Sequence, residues 1–151
     1  MAATVLSSDR VLSRLRTFLL ALSAFMALGT IFELVLTEHW EGPPQILPFI
    51  LCALSFLVIV AVLFKPSRGT IRIMRWVTGI TFLGSLFGVF EHLEHNFGFA
   101  QEIQPNAASN ELLWKTLSGA NPLLAPGILA FLALLALAAT YYHPALQQQN
   151  D

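Results

Sequence analysis

The chain has 151 residues, of which 56% are apolar and 11% are charged, and its formal net charge at pH 7 is -1. A soluble globular protein has roughly 25% charged residues, so a soluble domain of this composition would lack the charge to cover its surface. The near-zero net charge argues against nucleic-acid binding, which needs an excess of lysine and arginine, and the single cysteine, Cys52, excludes an intrachain disulfide and a thiolate metal cluster.

Four apolar segments are long enough to cross a bilayer, because a helix through a hydrocarbon core of ~30 Å needs about 20 apolar residues. They are residues 17–36, 46–64, 71–90 and 122–142. The first segment contains Glu33, and the third contains arginines only at its start, from where long side chains can reach the headgroups. The continuity of these segments predicts helices rather than the alternating strands of a barrel.

The first apolar segment is longer than the core of a signal peptide, which has about 7–15 residues, and no clear small-x-small cleavage site follows it. We therefore expect it to be retained as a membrane span. The N-terminal dozen residues of the chain are polar and predict a short lead-in that is loosely ordered or lies at the membrane interface.

The lysine and arginine residues lie almost entirely at one end of the predicted spans, and only Lys115 lies at the other. The positive-inside rule assigns the basic end to the cytoplasm, so the N- and C-termini are predicted to be cytoplasmic. The basic end contains Arg10, Arg14, Arg16, Lys65, Arg68, Arg72 and Arg75. The opposite end contains Glu38, Glu41, Glu94, Glu102 and Glu111, with Glu33 and Glu91 just inside it.

The connection over residues 91–121 predicts an extension of the third helix, a turn at Pro105-Asn106 and a short surface helix over about 110–118. Ser109 or Asn110 can cap that helix, and Gly119 can end it. The helix either lies along the membrane surface or packs on top of the other helices, and both alternatives remain open. Its apolar face consists of Leu112, Leu113, Trp114 and Leu117.

The second and fourth segments align without a gap, with three prolines of one matching three of the other: Pro44, Pro48 and Pro66 with Pro122, Pro126 and Pro144. The first and third segments also align, with Arg14 and Glu33 matching Arg72 and Glu91. This pattern indicates a parallel internal repeat. We predict an all-α fold, a four-transmembrane-helix up-down bundle of two similar helical hairpins, as a single membrane domain over residues 1–151.

One cluster of ionisable residues is unusual for a membrane segment. Insertion scales give about 2.5–3.5 kcal/mol for Asp, Lys or Arg at the membrane centre and less toward the ends, so an intramembrane charge is a candidate functional site. Helical spacing aligns Glu91 with Gly84 and Gly88, whose spacing lets a neighbouring helix approach closely. We therefore expect Glu91 to face Glu33 or a cavity shared with it. The candidate cluster is Glu33, His39, Glu91, His92, Glu94 and His95.

Four interpretations of this cluster remain open. The first is a metal site, because carboxylate and imidazole groups bind zinc, iron, manganese and copper. The nearest template is the Glu-x-x-His pairs of di-iron helix bundles, but those sites take ligands from four helices. His39 with His92 or His95 could ligate haem, but no C-x-x-C-H attachment motif is present. A proton or ion relay would need polar residues through the cytoplasmic half. We favour a fourth, structural interpretation, in which Glu33 and Glu91 form hydrogen bonds with Thr37, histidines or loop amides. These bonds would fix the geometry of the hairpins. No cofactor is predicted.

Several short stretches carry a resemblance to known sequences: Phe90 to Asn96, Pro105-Asn106, Gly119 to Gly127, and Tyr142-His143-Pro144. Together they resemble small bacterial four-helix inner-membrane proteins that have no assigned function. The resemblance covers about the C-terminal half of the chain. It implies a multi-pass protein of a bacterial inner membrane and carries over no catalytic residue.

No soluble enzyme motif is present: the sequence lacks G-x-S-x-G, a P-loop, a glycine-rich dinucleotide turn and H-E-x-x-H. We therefore expect a multi-pass membrane protein that is not an enzyme but an accessory or interaction subunit. Its expected partners are the lipid bilayer and other membrane subunits or further copies of itself, and not nucleic acid. The alternative is a metal- or haem-binding redox subunit that uses the Glu/His cluster.

Overall fold

The computed structural model of the chain describes residues 8–147. The predicted all-α class is confirmed for these residues, which form helices and no strand. In chain order the helices are α1 (Ser8–Leu36), α2 (Pro43–Phe64), α3 (Arg68–Ile103), α4 (Ser109–Leu117), α5 (Leu124–Ala139) and α6 (Pro144–Gln147).

Three helices of the described chain, α1, α2 and α3, are long and apolar enough to cross a membrane. α3 has 36 residues, which corresponds to about 54 Å and exceeds the ~30 Å of a hydrocarbon core. It therefore contains both an apolar segment and the extension predicted beyond residue 90. A capping box starts α3: Ser67 Oγ accepts from the Thr70 N–H, and the Ser67 N–H donates to Thr70 Oγ1 at 2.9 Å.

α1 differs from the prediction at its start. Residues 1–7 of the expected lead-in lie outside the described residues, but from Ser8 onward the chain is helical. Asp9 in the first turn interacts favourably with the positive end of the helix dipole. The loosely ordered alternative for the N-terminal dozen residues is therefore wrong for residues 8–12, which belong to α1.

α5 is shorter than the predicted segment 122–142. Its 16 residues span about 24 Å. Pro126 lies in its first turn, where a proline is tolerated because the N–H has no helical partner there. The helix ends at Ala139 because Tyr142 adopts a positive φ of 47° and Pro144 then disfavours a helical conformation in the residue before it.

The helices pack in a defined order. α1 packs against α2 and α5, and α3 packs against the same two helices. α4 packs on α3 and α6 contacts α3, whereas the described residues of α1 and α3 make no helix contact with each other. Consequently α2 and α5 lie between α1 and α3.

Small side chains fill much of the interior between these helices. Ser55 of α2 and Thr81 of α3 are fully buried, and their hydroxyl oxygens are 2.8 Å apart in a hydrogen bond. Cys52 is also fully buried, as expected for a packing residue. Small and hydroxyl-bearing residues let helices approach closely and hydrogen-bond one another without a hydrophobic driving force.

At the glycine pair of α3 the neighbouring helices leave no room for a side chain. A Cβ at Gly84 would overlap Leu51 Cδ1 of α2, and a Cβ at Gly88 would lie 2.9 Å from Pro126 Cβ of α5. The prediction that the Gly84-x-x-x-Gly88 spacing admits a neighbouring helix is confirmed, and the pair receives two helices rather than one.

The outer surface of the helices is apolar. Phe25 is 73% exposed, Leu57 61%, Leu83 64% and Phe131 55%, each near the middle of its helix. In water such a surface would cause aggregation, since soluble monomers rarely expose large contiguous apolar patches. An apolar exterior around a core of small side chains is the arrangement of helices that lie in lipid.

Two arginines hold the chain that follows α5. Arg16 of α1 is 9% exposed and donates to the carbonyls of Tyr141 and Tyr142 at 3.2 and 2.8 Å. These carbonyls lie just beyond the C-terminal end of α5, where the helix dipole favours a cation. Arg68 donates to the carbonyl of Leu146 in α6 at 3.2 Å. We call the end of the helices where these residues lie the arginine-rich end.

Candidate functional site

The predicted cluster lies at the other end, in the α1–α2 connection and in the chain from Glu91 to Leu123, which we call the carboxylate-rich end. Glu33 is exposed near the end of α1. Thr37 Oγ1 donates to the backbone carbonyl of Glu33 at 2.9 Å, rather than to its carboxylate. Glu91 is half-buried on α3, which does not contact α1 in the described chain. The two glutamates therefore have different neighbours.

Two of the predicted histidines lie close together, one on the α1–α2 connection and one on α3. Burial, and to a smaller extent the charge of nearby His92, lowers the pKa of His39 below its ordinary value. His39 of the first connection is thus near enough to His92 of α3 for the charge of one to affect the other.

His92 also connects α3 to the start of α5. Its Nδ1 lies 3.0 Å from the carbonyl oxygen of Pro122. Because a carbonyl only accepts, this nitrogen carries the proton. The carbonyl of Pro122 cannot bond to residue 126 in the usual helical way, since Pro126 has no N–H. The Ala125 N–H donates to this carbonyl at 3.3 Å instead, and His92 adds a second hydrogen bond to the same oxygen.

The remaining members of the cluster have local or exposed positions. His95 Nδ1 lies 2.8 Å from the backbone carbonyl of Glu91, one helical turn earlier, and both His95 and Glu94 are exposed. Among residues 8–147, no three His, Cys, Asp or Glu side chains are grouped so that they could hold a metal ion. The predicted cluster is thus divided: His39 and His92 are near each other, whereas the glutamates and His95 have separate neighbours.

Sequence reasoning missed the residue that organises this end. Asn96 of α3 is 2% exposed, and its amide nitrogen donates to the carbonyls of Thr116 and Asn121 at 3.1 and 2.9 Å. Its amide oxygen accepts from the Asn121 N–H at 2.9 Å. Gly119 lies directly against the Asn96 side chain, where any Cβ would overlap it. The amide thereby ties the loop after α4 to α3.

α4 is held on α3 by its polar side and presents its apolar side outward. Thr116 is buried, whereas Leu113 is 61% and Trp114 70% exposed. Leu112 is half-buried, so it belongs to the inner side and not to the predicted apolar face. Neither Ser109 nor Asn110 caps the helix: it begins one residue before the prediction, with Ala108 at the N-cap and no side-chain capping bond.

Lys115 ties α4 to the end of α3. Its ammonium group donates to the side-chain oxygen of Gln104 and lies 3.4 Å from the carboxylate of Glu111. A groove of about 200 Å³ runs beside it between α3 and the loop that follows α4. Among other residues, the groove is lined by Asn96, Phe99, Ile103, Lys115 and Gly119.

The carboxylate-rich end therefore presents a helix, held on α3 by hydrogen bonds, with an exposed apolar face. The face is Leu113, Trp114 and Leu117, the last of which is 48% exposed. Comparison with known proteins finds no matching family model, no matching curated protein and no matching solved structure.

Proposed function

We propose that this chain is a non-catalytic accessory subunit of a membrane complex that binds a partner protein through the exposed face of α4. In this proposal α1, α2, α3 and α5 form an up-down bundle of four transmembrane helices in two similar hairpins, in a bacterial inner membrane. Both termini are cytoplasmic, and the carboxylate-rich end faces outward.

The membrane part of the proposal rests on the helices themselves. Three of them have crossing length, and α5, although shorter, is apolar throughout and packs against both α1 and α3. Seven of the eight lysine and arginine residues lie at the ends that the proposal assigns to the cytoplasm. The positive-inside rule supports that direction.

The proposal of a protein partner rests on the exposed face of α4. Trp114 is 70% exposed on a helix that Asn96 and Lys115 hold in place. A large aromatic side chain on a rigid backbone loses little entropy when it is covered, and such residues dominate the binding energy of protein interfaces. A face of this kind favours a protein partner.

Charge distinguishes a protein partner from the bilayer surface. Helices that lie on a membrane surface are usually rich in lysine and arginine on their polar face, but α4 has only Lys115, which is paired with Glu111. The surrounding end exposes Glu38, Glu41, Glu94 and Glu102. Two copies of this chain would repel each other here, so the partner is a different chain with an apolar and basic surface.

Site-specific photocrosslinking in intact membranes tests the proposal. p-Benzoylphenylalanine in place of Leu113 samples the face of α4, and the same group in place of Leu83, 64% exposed on the apolar part of α3, is the matched control. We expect a discrete protein adduct from position 113 and only lipid adducts from position 83. Trp114→Ala should abolish the protein adduct, because it removes the largest side chain of the face.

Three results would overturn the proposal. The first is lipid adducts alone from both positions, and the second is an adduct of twice the mass of the chain. The third is a stoichiometric transition metal or a haem absorption band in the purified protein that His95→Ala abolishes. That result would establish the redox alternative, in which the Glu/His cluster binds a metal or haem.

A further inference from the structure

A groove lies at the arginine-rich end, between the start of α3 and the end of α5. It has a volume of about 300 Å³ and is lined by Arg72, Arg75, Trp76 and Leu137. The two arginines are three residues apart, so they project from the same side of α3. Trp76 is 76% exposed beside them. The groove therefore combines two guanidinium groups with an aromatic and an aliphatic wall.

The positive charge of this groove has no counter-charge within the described chain. Among residues 8–147 the one ion pair is between Lys115 and Glu111, at the opposite end, and neither Arg72 nor Arg75 has a side-chain hydrogen bond or ion pair. At the arginine-rich end, the acidic residue of the described chain is Asp9, which is in the first turn of α1, a helix that α3 does not contact. Within residues 8–147 no carboxylate is paired with these two guanidinium groups, so the groove presents an unneutralised positive charge to an anion.

The surface beyond the groove is apolar. One and two turns further along α3, Ile80 is 55% and Leu83 64% exposed, and Leu134, one turn before Leu137 in α5, is 51% exposed. α3 runs away from the arginine-rich end and α5 returns to it. The exposed apolar residues of both helices therefore lie toward the middle of the helices. A ligand that fills the whole surface has an anionic head and long apolar chains.

We propose that this groove binds an anionic phospholipid. Arg72 and Arg75 donate to the phosphate oxygens, for which the planar guanidinium is well suited. Trp76 lies at the level of the glycerol, where tryptophan is enriched in membrane proteins. The acyl chains run along the exposed apolar side of α3 and α5. Basic pockets between transmembrane helices on the cytoplasmic side are known to bind anionic headgroups in this way.

The inference depends on the transmembrane part of the proposed function and not on the partner at α4. The two sites are at opposite ends of the helices and are tested with different variants, so either one can fail while the other holds. The phosphate chemistry of the groove would also suit free inorganic phosphate, which the test therefore includes as a separate ligand.

Binding to the purified protein in detergent tests the charge of the groove. The ligands are phosphatidylglycerol, phosphatidylcholine and inorganic phosphate, and native mass spectrometry measures the binding of each. We expect phosphatidylglycerol to bind and Arg72→Gln with Arg75→Gln to weaken it by about 25-fold, since each arginine near a bilayer contributes about fivefold. The matched control is Arg10→Gln with Arg14→Gln on α1, which removes the same charge from exposed positions outside the groove.

A fluorescence measurement tests the site without changing an arginine. Trp40→Phe and Trp114→Phe leave Trp76 as the single tryptophan. In mixed bilayers, brominated phosphatidylglycerol should quench Trp76 more than brominated phosphatidylcholine does at the same mole fraction. Arg72→Gln with Arg75→Gln should remove this difference, and Arg10→Gln with Arg14→Gln should preserve it.

Equal loss of lipid binding in the two arginine pairs would show a general charge effect and overturn the proposal. Equal quenching of Trp76 by the two brominated lipids would overturn it as well. Binding of inorganic phosphate that displaces phosphatidylglycerol would assign the groove to free phosphate instead.

Discussion

The side chain of Asn96 and the backbone of Gly119 are in direct contact, and this contact fixes the loop that follows α4. Asn96 lies on α3 and is tied by hydrogen bonds to carbonyls 20 and 25 residues later in the chain. Glycine is required at position 119 because the amide group occupies the space that any side chain would need. This contact and the bond from Lys115 to Gln104 both help to orient the exposed α4 face.

We predict that Gly119→Ala releases the loop after α4. The new Cβ would overlap the Asn96 amide, and displacing that amide would break its bonds to Thr116 and Asn121. Loss of a buried hydrogen-bonded amide costs about 1–3 kcal/mol. Hydrogen exchange of residues 104–123 should become faster, while exchange in α1 and α2 stays unchanged.

Gly98→Ala is the matched control for Gly119→Ala. Gly98 is an exposed position of α3, two residues after Asn96, and a Cβ there meets nothing within 4 Å. Replacing glycine by alanine inside a helix stabilises it by roughly 0.5–1 kcal/mol. Exchange in residues 104–123 should therefore stay the same or become slower. Equal acceleration in both variants would show that the contact with Asn96 does not hold the loop.

A second prediction concerns the glycine pair within α3. Gly84→Ala should lower the free energy of unfolding by about 1–3 kcal/mol, because the added methyl group overpacks the contact with Leu51 of α2. Gly79→Ala, on the same helix with nothing within 4 Å of the added Cβ, should have no such effect. Unfolding in mixed micelles with increasing denaturing detergent measures both variants.

The apolar helices and this glycine contact could be predicted from the sequence because both follow local rules. A helix in lipid needs an uninterrupted apolar segment, and a pair of glycines four residues apart forms a small-residue strip wherever it occurs. The end of α5 could not be predicted in the same way, since it depends on Tyr142 adopting a left-handed conformation that a tyrosine rarely adopts.

The candidate cluster was harder to predict because its geometry depends on contacts distant in sequence. Helical spacing aligns Glu91 with the glycine pair, but it does not say that α2 and α5 lie between α1 and α3. Asn96 was missed for a related reason. Its partners are backbone groups of Thr116 and Asn121, and every residue type has such groups, so the sequence does not distinguish these two positions.

A third prediction concerns Arg16, which is buried at the end of α5. Arg16→Gln should lower the free energy of unfolding by about 1.5–3 kcal/mol, the usual contribution of hydrogen bonds to a charged group. It leaves the carbonyls of Tyr141 and Tyr142 without their donor and removes a cation from the negative end of the α5 dipole. Arg14→Gln, at an exposed position of the same helix, is the control.

Protease sensitivity gives Arg16 a readout specific to its position. Residues 140–147 follow α5 and are held by Arg16 and by Arg68. Cleavage in this segment should become faster in Arg16→Gln but not in Arg14→Gln. If the two variants are cleaved at the same rate, the bonds from Arg16 do not hold the segment.

The last prediction is a loss of stability in mild acid. Burial lowers the pKa of His39 and of His143 from the ordinary 6.5, assisted by the charges of His92 and Arg16 respectively. Below about pH 6.5 the unfolded chain therefore binds more protons than the folded chain. The free energy of unfolding is then highest above that pH and decreases as the pH falls below it. Thermal unfolding at about pH 7.5 and about pH 5.5 should show this difference. His39→Gln with His143→Asn should reduce this difference, because the two imidazoles that titrate are removed. Asparagine is chosen at position 143 because its side-chain oxygen can still accept from the Ala145 N–H, as His143 Nδ1 does at 3.2 Å. An unchanged difference in that double variant would mean that other groups titrate on unfolding.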